Sequence, residues 1–107
     1  MSQYRKKIDP EMLPFEVQDV MKNLGQKISI ARRARKWTQP DMAGRAGVGL
    51  NTMVAIERGS PSVQFGSYVM ALWALNLLDE FERIARPQDD EVTLSSALKS
   101  LPRRITR

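Results

Sequence analysis

Near the middle of this chain, a four-residue connection, Ala46-Gly47-Val48-Gly49, separates two short segments that each carry a helical apolar pattern. Ahead of it, Thr38 is followed three residues later by Asp41, an N-cap pair in the style of a capping box with a shorter acid than usual. Pro40 falls in the first helical turn, where a missing N–H costs nothing. Met42, Ala43 and Ala46 give this segment an apolar face, and Gly47 can end it in the left-handed conformation. Gly44, inside it, costs about 1 kcal/mol against alanine, which marks either a close contact or simple tolerance. Behind the connection a second helix is expected from near Leu50 to Gly59, with Val48, Met53 and Ile56 on one side. So short a turn makes the second helix cross the first steeply and leaves its front half protruding. A protruding helix fits the major groove of duplex DNA, which admits one helix and displays a distinct pattern for each base pair. On spacing alone, an ordinary helical hairpin inside an all-α core is the alternative.

The rest of the chain frames this pair with helices. From Phe15 onward, Val17, Val20, Met21, Leu24, Ile28 and Ala31 recur at three- and four-residue steps, the stripe of an amphipathic helix expected to reach about Lys36. Ser60-Pro61-Ser62 reads as a turn with Ser62 as N-cap of a fourth helix, marked by Phe65, Val69, Leu72 and Trp73 and reaching about Leu75. A fifth short helix is expected from Leu78 to Arg86, ahead of Pro87. Residues 1–14 read as an N-terminal arm, 15–86 as one helix-turn-helix domain, and 87–107 as a tail that is acidic, then weakly amphipathic (Leu94, Ala97, Leu98, Leu101), then basic. Strand signals are nearly absent. The fold class expected is all-α.

Composition narrows the chemistry. With neither cysteine nor histidine, zinc and thiol chemistry have almost nothing to work with, no disulfide framework is possible, and a reducing cytoplasm is the natural setting. The carboxylates show no clustered pattern, and no nucleophile–base pair or phosphate-cradling glycine loop is visible, so the reading is a protein without catalytic residues, metal or cofactor. No apolar run approaches the roughly 18 residues of a membrane span, and MSQYRKKIDPEM lacks the apolar stretch of a secretory signal. The net charge is +5, and its distribution matters more than its sum. Between Lys22 and Arg58 lie eight bases against two acids; from Asp79 to Glu91 the sign reverses, with six acids against Arg83 and Arg86. The tail is basic again through Lys99, Arg103, Arg104 and Arg107. A basic middle is the footprint of a phosphate-binding surface, though solvated arginines would give the same count.

The residues Leu24-Gly25-Gln26-Lys27-Ile28, Arg32-Arg33, Trp37-Thr38-Gln39, Met42-Ala43, Ala46-Gly47-Val48 and Ile56-Glu57-Arg58-Gly59, in this order and spacing, resemble the XRE/Cro family of helix-turn-helix repressors. That resemblance implies a five-helix, lambda-repressor-like domain. It places base-reading positions on Leu50, Asn51, Thr52 and Ala55, and phosphate contacts on Gln39 and Arg58. Asn51 can pair bidentately with adenine, Thr52 can hydrogen-bond or touch a thymine methyl, and Leu50 and Ala55 can read only methyls or shape, so a share of indirect readout is expected. Gly49 stands where the family usually has a capping Ser or Thr. The resemblance also implies an ion pair between Arg32 and Glu57 that ties the first helix to the third. Arg33, Arg35 and Lys36 are then the remaining phosphate candidates, with a solvated surface as the alternative, and Trp37 is expected to pack in the core.

Trp73, Leu77, Leu78, Phe81 and Ile84 put more large apolar side chains in twelve residues than one short helix needs to cover a core. Because repressors of this family dimerise through the corresponding region, the expectation is a homodimer matched to duplicated half-sites in an operator; a larger monomer core is the alternative. Ala71-Leu72-Trp73-Ala74-Leu75-Asn76-Leu77-Leu78-Asp79, Arg86-Pro87, and the tail Ala97-Leu98 to Leu101-Pro102-Arg103-Arg104 resemble HipB-type antitoxins. That resemblance implies a HipA-like kinase-fold toxin as a second partner and repression of the pair's own operon. A free-standing phage-type repressor without a toxin, and an interaction module that has kept the fold, are the competing readings.

Overall fold

The computed structural model describes residues 9–100, and they are all-α, with no strand among them. The first helix, α1 (Phe15–Ala34), is followed by α2 (Gln39–Ala46), α3 (Leu50–Glu57) and α4 (Phe65–Ala74); α5 (Glu91–Lys99) comes last. Single 3₁₀ segments lie at Pro10–Met12, Leu78–Arg83 and Pro87–Asp89. Of the expected arm, residues 1–8 lie outside the described residues, as does 101–107 of the expected tail, with Leu101, Arg103, Arg104 and Arg107.

Local chemistry sets the boundaries. Thr38 Oγ1 accepts from the Asp41 N–H at 3.1 Å while the Asp41 carboxylate accepts from the Thr38 N–H at 3.0 Å, so the capping box forms in full and Pro40 sits in the first turn of α2. The hydrogen bonds to Thr38 hold the Asp41 carboxyl below its ordinary value. The first four helices end alike. After α2, the Val48 N–H reaches back to the Ala43 carbonyl and the Gly47 N–H to that of Gly44, with Gly47 at φ 71°. The same two-bond closure follows α1, α3 and α4, with Lys36, Gly59 and Asn76 in the left-handed position. Next comes Trp37, Val48 or Leu77 after α1, α2 and α4, each partly buried against the core. The motif therefore ends the helix and turns an apolar side chain inward in one step.

The core is built from Ile28 of α1, Met42, Ala43 and Ala46 of α2, Met53 and Ile56 of α3, and Tyr68, Ala71, Leu72 and Leu75 of and just after α4. α2 packs on α3 and α4, and α1 crosses α3. That crossing is backbone on backbone. A Cβ at Gly25 would stand 2.6 Å from the Gly59 nitrogen and the Ile56 carbonyl oxygen, so only glycine lets α1 approach this closely.

Four expectations are corrected. The apolar stripe of α1 is buried only from Met21 on: Phe15, Val17 and Val20 are exposed. Ser62 is not the N-cap of α4; Gln64 takes that position without a side-chain cap bond, and the Ser62 hydroxyl pairs with that of Ser60. The inward face of α4 is Tyr68, Ala71, Leu72 and Leu75, so Phe65 and Trp73 are exposed: a face chosen by size alone missed the small Ala71 and the hydroxyl of Tyr68, which finds the Ser60 carbonyl at 2.6 Å. The expected fifth helix, Leu78 to Arg86, is a 3₁₀ segment ending at Arg83, with Ala85 at φ 58° beyond it. The fifth α-helix lies further on, inside the expected tail, where the Asp90 carboxylate accepts from the Thr93 N–H to start it.

Gly44 is settled as tolerance. It is exposed, its φ is not left-handed, and a Cβ there would meet nothing within 4 Å. Gly44→Ala is expected to raise the unfolding free energy by about 1 kcal/mol through lost chain entropy in the unfolded state, read as a higher urea midpoint at unchanged slope.

Candidate nucleic-acid interface

The body presents α3 by its front end. Gly49 caps it in an extended conformation, and Leu50 (46% exposed) and Asn51 stand in solvent, while Met53 and Ile56 on the opposite side are fully buried. Thr52 and Ala55 are half-buried between these faces. The inner side of α3 anchors it, and Leu50 and Asn51 at its front are left exposed.

Asn51, Thr52 and Ala55 share one wall of a concavity of about 340 Å³; Ser62, Val63, Gln64 and Ser67 form the other. The polar groups of that second wall were not recognised from the sequence. Ser60-Pro61-Ser62 reads as a turn, and nothing local shows that the turn folds back beside α3. Only the packing of Tyr68 and its hydrogen bond to the Ser60 carbonyl bring the loop there.

Arg32 and Glu57 meet in a two-pronged ion pair: Arg32 Nε lies 2.6 Å from Glu57 Oε2 and Nη2 3.0 Å from Oε1. The third guanidinium nitrogen donates to the Trp37 carbonyl at 2.8 Å. Gln39, expected at a phosphate, donates its amide N–H to Glu57 Oε1 at 3.0 Å. One carboxylate therefore gathers the end of α1, the start of α2 and the end of α3. Burial pushes the Glu57 carboxyl up, but the hydrogen bonds from Arg32 and Gln39 and the charge of Arg32 outweigh it and hold it below its ordinary value.

The remaining cations divide. Arg35 donates to the carbonyls of Ala31 (2.8 Å) and Leu75 (2.9 Å), so its guanidinium holds the ends of α1 and α4 together. Arg33, with one bond of 3.4 Å to the Ser29 carbonyl, Lys36 and Arg58 are exposed. Trp37 packs against the core as expected and also carries the Arg45 guanidinium 4.0 Å above its ring, with that of Arg35 at 5.9 Å. Its outer ring face thus serves the protein's own arginines. Of the apolar residues assigned to an interface, Leu77 and Phe81 lie partly buried against their own core, while Trp73 (54%), Leu78 and Ile84 (60%) are exposed. No helix among the described residues is long and apolar enough to cross a membrane.

No protein-family model and no solved structure matches the chain. Among curated proteins it is similar to an uncharacterized HTH-type transcriptional regulator, y4mF, of Sinorhizobium fredii (strain NBRC 101917 / NGR234), at 36% identity over 53 residues, which covers 50% of this chain and 70% of the relative. With two short helices joined by a glycine turn, the second anchored on one side and open on the other, and with likeness over most of that relative's length, the chain belongs to the HTH-type transcriptional regulators.

Proposed function

We propose that the chain is a sequence-specific repressor that binds operator DNA as a homodimer, with residues 15–86 as the binding and dimerisation unit and the front of α3 in the major groove. The observation that carries this reading is the exposed front of α3: Leu50 and Asn51 stand free on a helix whose other side is locked into the core. In this arrangement Asn51 reads an adenine edge, Thr52 and Ala55 follow the groove, and Leu50 meets a thymine methyl. Arg33, Lys36 and Arg58 neutralise phosphates. Gln39 and Arg35, tied to Glu57 and to backbone carbonyls, position the helices instead, so this reading moves both from phosphate contacts to structural ones.

The finer reading is an antitoxin of HipA/HipB-like type that represses its own operon and binds a kinase-fold toxin. Its support is the resemblance that begins within α4 at Ala71 and runs on through the tail, part of which lies in residues 101–107. Recovery of a kinase-fold protein with the tagged chain from its native host supports it; recovery of none leaves the free-standing repressor. Asn51→Ala is expected to weaken operator binding by about 1–3 kcal/mol while leaving binding to random duplex nearly unchanged. A gel-shift titration at fixed salt checks this, and equal losses on both DNAs would remove Asn51 from the base-reading set.

A further inference from the structure

We propose that α5 of a second copy of this chain seats its Leu94–Leu98 face in an apolar groove between α1, α4 and the 3₁₀ segment Leu78–Arg83. This rests on the homodimer reading above and extends the dimer surface beyond residues 15–86, to α5. Every residue of α5 is exposed, and it packs against the Pro87–Asp89 turn that precedes it rather than against the body. Leu94, Ala97 and Leu98 nevertheless fall on one side of it, one turn apart. A nine-residue helix with an open apolar face is not stable alone in water and needs a surface to cover it.

The connection to α5 is ordered locally. The Arg86 guanidinium pairs with Asp89 at 2.9 Å across the Pro87–Asp89 turn, and Asp90 caps the helix that follows. The radius of gyration is 18.2 Å and the longest dimension 55 Å, against a radius of roughly 13 Å for a compact domain of about 100 residues. A helix that touches so little of its own body fits exchange with another molecule.

The body offers a matching surface. A groove of about 200 Å³ is lined by Leu24, Ile28, Leu77, Phe81 and Ile84, with Lys27 and Glu80 as its charged residues. On α5, Glu91 flanks the Leu94–Leu98 face one turn ahead of Leu94, and Lys99 follows Leu98. A helix laid in the groove with Glu91 beside Lys27 brings Lys99 toward Glu80. Exchange between two copies fills both grooves by one two-fold operation and leaves no open end to propagate.

Sedimentation of the full chain tests this. The wild type is expected to be a dimer, and L94D/L98D a monomer that loses no more far-ultraviolet helix signal than the nine residues of α5 supply. K27E and E91K are each expected to weaken the dimer about tenfold, because each places like charges in both contacts. An equimolar mixture of the two is expected to recover the wild-type dimer, because opposite charges then meet in both grooves. A wild type that stays monomeric at about 100 µM would overturn the homodimer reading and this one together. A dimer that persists in L94D/L98D, or a mixture of K27E and E91K that dimerises no better than either alone, overturns the exchange of α5 and leaves the homodimer standing.

Discussion

Gly25→Ala is expected to lower the unfolding free energy by about 3 kcal/mol or more, a large fraction of what a domain this small holds. The added methyl would sit 2.6 Å from the Gly59 nitrogen and the Ile56 carbonyl oxygen and 2.7 Å from the Glu57 carbonyl oxygen. All three are backbone atoms, so no rotamer change can relieve the overlap; α1 must tilt off α3 or α3 must shift. The other side of the crossing has no slack, because Gly59 lies against the Met21 and Lys22 backbone and is itself left-handed at φ 75°. A thermal melt is expected to fall by about 15 °C. The matched control is Gly44→Ala, the same chemical change on an open helix face, which is expected to go the other way. If the two variants melted within about 2 °C of each other, the backbone-on-backbone crossing of α1 and α3 would be wrong.

Arg32→Ala should cost about 3 kcal/mol, mainly through what it leaves behind. The side chains of Arg32 and Glu57 are only 12% and 6% exposed, and without the guanidinium the carboxylate keeps Gln39 as its hydrogen-bond donor while the Trp37 carbonyl loses its partner. Replacing Arg32 and Glu57 together by apolar residues of similar size should cost much less than Arg32→Ala alone, because no buried charge is stranded. The pH dependence gives an independent reading. Glu57 is held below its ordinary value of 4.5, so the unfolded chain takes up its proton first. Its ionised form therefore adds stability above about pH 4.5, and that stability drains as the pH falls through the lower folded value. Asp41 and Asp90 shift in the same direction and add to the slope. Unfolding by urea between pH 6 and 3 should show a steeper acid loss in the wild type than in Arg32→Ala, where the group that holds Glu57 down is gone; parallel curves would sink this account.

The helix-turn-helix was legible because its determinants are local. Thr38, Asp41, Pro40 and Gly47 act within a turn of where they stand, and α2 begins and ends where they place it. The pairing of Arg32 with Glu57 came from family resemblance; it spans 25 positions, and no local pattern specifies it. Where the sequence misled, a decision was shared between distant segments. Phe65 looked like core because it is large, yet its position on α4 turns it outward beside Phe81, ring centroids 5.5 Å apart. Gln39, placed at a phosphate by the family resemblance, and Arg35, a further phosphate candidate, also hold hydrogen bonds to Glu57 and to the Leu75 carbonyl, which no local pattern announces.

By itself, then, the order of residues determined an all-helical chain, the limits of α2 and α3, and the free front of α3, because caps, left-handed stops and apolar spacing act over a few residues. Tertiary structure alone decided how closely α1 lies on α3, which polar side chains the fold keeps for itself, that the Ser62–Ser67 segment walls one side of α3, and that α5 stands away from the body. Those outcomes depend on which surfaces meet, and a surface is defined only once helices far apart in the chain have packed.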